Sequence, residues 1–348
     1  MQRAAQNRSE KGSGRDFASL LAMNAGSLAA LELLLQEQVG SFEPEVRDFA
    51  AYCLGTSGKR LRPLLVFLSG WEGEGKVNPD LVKAAAVIEM VHMATLVHDD
   101  IMDGAAIRRG RATVSDRDGP SVAVLLGDAL FAQAVVLSTQ FPDVFVTRRI
   151  ADATRRVCSG EIIQTLGPSD GAPNRSRYER VIDLKTAELF SVSCELGSAL
   201  SGAAAEHVRS IATFGRRLGV AYQVYDDLAD FAGDASQIGK TLGTDWKSGK
   251  LTLPVLELLE RMPEGSSREV LAALGSGEAR KLEGVTCQMR ELGVLEAVLG
   301  RIRAELTAAR ESLKLLPATE EVALLLDLCN ALEFQASVLG NLPRGVSG

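Results

Sequence analysis

The 348-residue chain carries 38 Lys and Arg against 45 Asp and Glu, a formal net charge of −7, which excludes the basic face that non-specific nucleic-acid binding requires. Its residues are 46% hydrophobic and 24% charged but only 5% aromatic. Collagen-like, disordered and disulfide-scaffold classes are therefore excluded, and helix is favoured over sheet. The cysteines Cys53, Cys158, Cys194, Cys287 and Cys329 are scattered and form no CxxC pair, the pattern of reduced, buried thiols in a cytoplasmic protein. Met1 to Asp16 is polar and lacks the apolar stretch of a signal peptide, so 1–16 is expected to be a disordered tail before one domain over 17–340. No uncharged apolar run reaches about 18 residues, so no transmembrane helix is expected.

Helical periodicity runs through almost the whole chain. In order, apolar spacing predicts helices over Leu28–Val39, Leu61–Leu68, Pro79–Asp103, Ser121–Gln140, Thr147–Thr165, Ser176–Leu200 and Glu206–Phe231. After Pro254, helices are expected at Glu257–Met262, Arg268–Leu274, Leu295–Leu315 and Glu320–Leu339. Two Gly/Asp-rich breaks, Asp103–Pro120 and Gly233–Pro254, are too long for simple turns, and such loops are often functional. With no linker and no repeat of fixed period, the chain reads as a single large all-α domain. Ala84–Val97, apolar on most faces, belongs at the centre of its helical bundle.

The strongest chemical signal is a duplicated cluster. Asp99-Asp100-Ile101-Met102-Asp103 ends one apolar helix and Asp226-Asp227-Leu228-Ala229-Asp230 ends another. The first and last Asp of each set lie one turn apart on one helix face. A single set is commonly a solvated helix end. Two, each after an apolar run, are costly to desolvate unless a cation neutralises them. Mg²⁺ suits them, because it takes one or two carboxylates and completes its shell with water and phosphate. Asp99, Asp100, Asp103, Asp226, Asp227 and Asp230 are thus candidate metal ligands. Cations surround them: Lys59 and Arg62 in a basic turn, Arg108 and Arg109 past the first set, Lys185 beside Thr186, and Lys240 and Lys250 flanking the loop after the second. Singly each reads as a surface charge. Together they describe a cleft for two polyanions, one bridged by metal and one held by side-chain cations.

Glu89–Asp100 followed by Arg108-Arg109-Gly110 resembles the first aspartate-rich motif of the trans-type polyprenyl diphosphate synthases. Tyr222–Asp227, with Gly239-Lys240, Gly243-Thr244-Asp245 and Gly249–Pro254, is similar to the second. The likeness covers roughly Cys53 to Pro254. It implies the isoprenoid synthase fold, an all-α bundle around a central apolar cavity, commonly as a homodimer. It also implies Mg²⁺-dependent condensation of isopentenyl diphosphate with an allylic diphosphate, with Asp99 and Asp103 holding two Mg²⁺ ions and Asp226 a third. Arg108, Lys185, Lys240 and Lys250 would neutralise the allylic diphosphate. Lys59, Arg62, His92 and Arg109 would bind that of isopentenyl diphosphate, and Thr186 and Gln223 would face the reacting carbons. The family commonly has a second glycine where this chain has Ser57 before Gly58.

Product length is read from the turn above Asp99. Ala94 and Thr95 are small where short-chain members resemble one another in carrying bulky aromatics, so a tunnel is expected to continue towards Val91, Met90 and Val87. A product of C25 or longer is favoured; a Phe or Leu from Leu125–Phe131 closing the opposite wall would give geranylgeranyl or farnesyl diphosphate instead. Three competing readings are a terpene cyclase, a non-catalytic subunit and a plain helical scaffold. The first needs no second diphosphate site, the second predicts eroded aspartates, and the third predicts no coordinated cations. His98 reads as a helix-terminal neighbour of the carboxylates, His207 as a surface residue, and Trp246, Tyr222 and Tyr225 as packing residues.

Overall fold

Capping and proline chemistry set the helix starts. The computed structural model describes residues 15–55, 58–167, 173–233, 243–263, 265–276 and 278–340. Asp16 accepts from Ser19 N to cap α1 (Phe17–Met23), and Arg15 pairs with Asp327 at 3.1 Å. The last two residues of the expected tail are therefore tied to the fold; 1–14 lie outside the described residues. There follow α2 (Ala25–Gly40), α3 (Pro44–Leu54), α4 (Leu61–Ser69) and α5 (Pro79–Met102). The last starts where Asn78 accepts from Asp80 N and Leu81 N and Pro79 fills the first turn.

The break after α5 is not structureless. It holds a short hairpin, β1 (Ile107–Arg108) against β2 (Arg111–Ala112), and the single turn α6 (Val114–Asp118). Both corner residues have positive φ, Arg109 at 52° and Gly110 at 74°, as a two-residue type I′ turn demands. Beyond it come α7 (Pro120–Ser138), α8 (Phe145–Leu166) and α9 (Arg175–Ile182). A π-helical turn over Asp183–Ala187 then passes into α10 (Glu188–Leu200), where the sequence predicts one unbroken helix. After α11 (Ala205–Ala232) come α12 (Thr244–Lys247), α13 (Leu253–Arg261), α14 (Ser267–Ala273), α15 (Ala279–Glu291), α16 (Val294–Leu313) and α17 (Glu320–Gly340). The sequence does not predict α1, α3, α6, α12 or α15.

Two apolar clusters make the core. One gathers residues of α11, α13, α16 and α17, and the other those of α2, α5, α7 and α8. The helices α4 and α10 feed both, Leu64 and Phe190 into the first, Val66 and Val192 into the second. They cross closely because Gly197 presents no side chain: a Cβ there would stand 2.3 Å from Val66 O.

Two expectations need correcting. Among the described residues three helices, α5, α7 and Glu320–Leu339 within α17, are long and apolar enough to cross a membrane, each with an 18-residue window that holds no more than two charges. In α5 that window is 72% buried inside the protein, the mark of a helix apolar all round at the centre of a bundle. The thiols also divide: Cys53, Cys194 and Cys329 are buried, but Cys158 and Cys287 lie on outward faces of α8 and α15. Burial pushes the Cys53, Cys194 and Cys329 thiols up to about 12, so they act as small apolar residues.

Candidate active site

The C-terminal end of α5 forms an acidic pole. Asp99 is buried, and its Oδ1 has no hydrogen-bond partner among the described residues. Its Oδ2 lies 3.3 Å from Lys185 Nζ. Lys185 also pairs with Glu161 and donates to Gln164 Oε1 at 3.2 Å. Burial opposes the charge on Lys185, but Asp99 and Glu161 outweigh it and hold its pKa above the ordinary range. Burial, reinforced by Asp99, pushes the Glu161 carboxyl up. Asp103, at the helix end, pairs with Lys250 at 2.9 Å. Glu161 and Gln164 were not anticipated from the sequence; only their spacing of three on a helix hinted at a shared face.

Consecutive side chains Lys185 and Thr186 both serve this region because they sit in the π-turn. Thr186 donates to Gln223 Oε1 at 2.6 Å, and Gln223 donates on to Asp227 Oδ1 at 2.8 Å. Tyr178 closes the chain by donating to Asp227 Oδ2 at 2.6 Å. Tyr178, absent from the sequence-based site, thus fixes Gln223 at second hand. Burial, with Asp245 adding to it, pushes the Asp227 carboxyl up to about 8.

Three of the six candidate ligands are accordingly committed elsewhere. Asp227 is occupied by Tyr178 and Gln223. Asp230 takes Thr244 N and Oγ1 on one oxygen and Asp245 N on the other. Asp100 accepts from Arg108 Nε at 2.5 Å. All three are buried; Asp227 and Asp230 spend both oxygens, and Asp100 one, on holding a loop or a neighbour. Asp226 lies on the last turns of α11 with an interaction of its own. Lys240 lies outside the described residues. Among the described residues no three acidic, His or Cys side chains close into a metal cage. The donor set still fits a hard divalent cation. Asp99 offers a buried, unpartnered oxygen, and Mg²⁺ needs only one or two carboxylates when phosphate and water complete its shell.

A basic pole lies along the same helix. His92 is seven residues before Asp99, about 10 Å along the axis. Arg62 Nη1 stands 3.0 Å from His92 Nε2. Since a guanidinium only donates, Nε2 accepts and a neutral ring carries its proton on Nδ1. Burial, then Arg62 and Arg109, push the His92 pKa well below its ordinary value. The Arg62 guanidinium packs over Phe190 at 5.2 Å, and its buried Nε has no partner among the described residues. Arg109 lies so close over Gly58 that a Cβ there would stand 2.3 Å from its Nη1. Burial lowers the pKa of Arg62 and Arg109 alike; Arg109 adds to the effect on Arg62, and Arg108 and Arg60 add to that on Arg109. Lys59 is exposed at the rim.

Arg60 is what the sequence reading passed over. It is buried at φ 45° and capped by Glu32 at 2.7 Å, Glu89 at 2.7 Å and Leu54 O at 3.1 Å. It holds the strained turn that sends Lys59 and Arg62 to their places. The corner of the β1–β2 hairpin ties the two poles together: Arg108 reaches Asp100, and its neighbour Arg109 reaches the basic pole.

The column expected to open below Ala94 is closed. Val87, Met90, Val91 and Ala94 are 0–1% exposed, which leaves no water-sized space beside them. Thr95, one residue on, is half-buried, so the tunnel is closed only below Ala94 in this structure. Leu125 points to solvent at 68% exposure, whereas Phe131 packs against His98 with ring centroids 5.9 Å apart. His207, expected at the surface, pairs with Glu321 at 3.3 Å.

Residues 43–289 match the family model described as polyprenyl synthetase. The chain is 32% identical over 302 residues to octaprenyl diphosphate synthase of Escherichia coli, covering 85% of this chain and 92% of the relative. The crystal structure of a polyprenyl synthase from Caulobacter crescentus complexed with calcium and isoprenyl diphosphate matches with TM-score 0.85 and 28% identity, over 93% of this chain and 98% of that one. That of a decaprenyl diphosphate synthase from Rhodobacter capsulatus matches with TM-score 0.84 and 32% identity, over 92% and 99%.

Proposed function

The chain belongs to the polyprenyl synthetase family, and from that premise we propose that it is a prenyltransferase that joins isopentenyl diphosphate head to tail to an allylic diphosphate, giving a product of C25 or longer. The observation that carries this reading is the pair of poles on one helix, bridged by Arg108 and Arg109. A terpene cyclase needs only the acidic pole.

Asp99, Asp103 and Asp226 would hold Mg²⁺, with three ions in the full complex. Bound there, the ions supply charge neutralisation for the diphosphate that leaves. Lys185, Lys250, Arg108 and Lys240 share that task, so the allylic carbon–oxygen bond breaks against fixed positive charge. Arg62, Arg109, Lys59 and the Nδ1–H of neutral His92 hold the second diphosphate and aim the isopentenyl double bond at the cation. Thr186 and Gln223, fixed through Asp227 and Tyr178, present oxygen dipoles to the cation. The proton lost from the isopentenyl unit goes to the released diphosphate. The packed face of α5 keeps water from the cation.

Growth past C20 requires the side chains of Met90 and Val91 to swing aside below Ala94. Neither Ala94 nor Thr95 is aromatic, and the named relatives are octaprenyl and decaprenyl diphosphate synthases. A second copy of the chain is the proposed partner, since α7 leaves Val124, Leu125, Val135 and Val136 exposed. The test is incubation of purified protein with Mg²⁺, isopentenyl diphosphate and a C5, C10, C15 or C20 allylic diphosphate, with the dephosphorylated products sized by chromatography. Products of C25 or more are expected. A stop at C15 or C20 overturns the length, and no condensation with any primer overturns the activity.

A further inference from the structure

The π-helical turn that presents Lys185 and Thr186 is held from outside the site. Its defining bond runs from Glu188 N to Asp183 O. The same two residues are joined again through their side chains. Arg216, on α11, donates to Asp183 Oδ1 and, at 2.7 Å, to Glu188 Oε2. Arg156, on α8, donates to Glu188 Oε2 at 2.8 Å and lies 3.7 Å from Asp183 Oδ2. Arg149, two turns earlier on α8, donates to Glu188 Oε1 at 2.9 Å. Glu188 is 1% exposed, so this carboxylate sits in the interior with three guanidiniums around it.

The backbone on either side is fitted to the same turn. A Cβ at Gly160 of α8 would stand 2.9 Å from Lys185 N, and one at Gly219 of α11 would stand 2.7 Å from Ala187 Cα. Both flanking helices therefore give up a side chain where the turn bulges. A π-turn is a rare, locally strained insertion in a helix. Relaxing it to α-helical register would rotate residues 183–187 relative to α10 and carry Lys185 away from Asp99 and Thr186 away from Gln223.

We propose that Arg156 and Arg216 staple the two ends of this turn through Asp183 and Glu188, making these four positioning residues for Lys185 and Thr186. None of the four bonds to the acidic or basic pole; they act through the register of the turn. The inference rests on the roles given above to Lys185 and Thr186.

Arg216→Lys tests it, because an ammonium keeps the charge but cannot span both carboxylates. Asp183→Asn, at a part-exposed position, is the second variant should Arg216→Lys fail to fold. Arg155→Lys, on the solvent side of α8, is the control. In both test variants kcat for condensation is expected to fall about tenfold or more, the KM for the allylic diphosphate to rise, and the KM for isopentenyl diphosphate to stay within about twofold. Amide hydrogen exchange over 183–188 should accelerate, and the helical circular dichroism should not change. Unchanged kcat in a folded variant, or a rise of both KM values in step with lost helicity in Asp183→Asn, overturns the staple. So does unchanged exchange over 183–188, a result that stands even if the unsubstituted protein condenses no diphosphates and the proposed activity itself fails.

Discussion

The two aspartate sets share one spacing, yet the fold uses them differently. In the first, α5 stops at Met102, so Asp103 is a C-cap at the surface and shares a face with Asp99 towards Lys250 and Lys185. In the second, α11 runs on to Ala232, and Asp230 is a buried interior residue whose oxygens hold the start of α12. The i, i+4 rule says which side chains share a helix face; where the helix ends decides whether that face meets solvent or backbone. The outcome is a division of labour, with Asp99, Asp103 and Asp226 proposed for metal, Asp100 and Asp230 tying loops to helices, and Asp227 holding Tyr178 and Gln223.

The sharpest way to break this division is to neutralise one aspartate of each kind. Asp99→Asn should lower kcat by about 10²–10³-fold, the scale of losing a group that stabilises developing charge, with little change in thermal stability. Asp230→Asn should keep kcat within about tenfold but cost about 1.5–3 kcal/mol of stability, since one oxygen can no longer accept from the backbone. Equal losses of kcat in the two variants at equal melting temperature would erase the distinction. A second experiment sharpens it: a chelator should abolish condensation and added Mg²⁺ restore it. Mg²⁺ with inorganic diphosphate at about 100-fold over its dissociation constant should stabilise the parent and Asp230→Asn by about 2.7 kcal/mol. Asp99→Asn should show almost none of that shift in a thermal melt.

What the sequence made legible follows the same line. Long apolar helices such as α5 and α11, and the residues at their ends, are visible because periodicity reports them directly. The single turns α6 and α12 are too short to carry a period. The amphipathic α15 is mostly polar, so its pattern is faint. The π-turn is invisible because the apolar residues of Ser176–Leu200 read as one continuous helix; what holds the turn lies on α8 and α11. Arg60 and Arg62 are two residues apart and chemically identical, and only the partners Glu32 and Glu89 show that the first is structural. Glu161, Gln164 and Tyr178 reach the site from helices whose sequence carries no motif.

The comparison extends upstream of the aspartates. Seven residues before Asp99 stands His92; seven before Asp226 stands Gly219. The first helix therefore carries a titrating group at this position and the second only a close backbone contact. Half-buried beside Arg62 and Arg109, His92 is held well below its ordinary value of 6.5. The folded protein then binds fewer protons than the unfolded chain once pH falls below about 6.5, so this contribution to stability is intact above that pH and lost as pH drops, by up to about 1.4 kcal/mol per pH unit. His92→Gln removes the titration while leaving an acceptor for Arg62. Between pH 7.5 and 5 its melting temperature should therefore fall less than that of the parent. Gly219→Ala should lose stability by the same amount across the range, because its added Cβ meets the backbone of Ala187 at 2.7 Å, a contact with no proton in it. Parallel melting curves for His92→Gln and the parent would mean that His92 is not held neutral, and the basic pole would then bear one more positive charge at acid pH than its geometry implies.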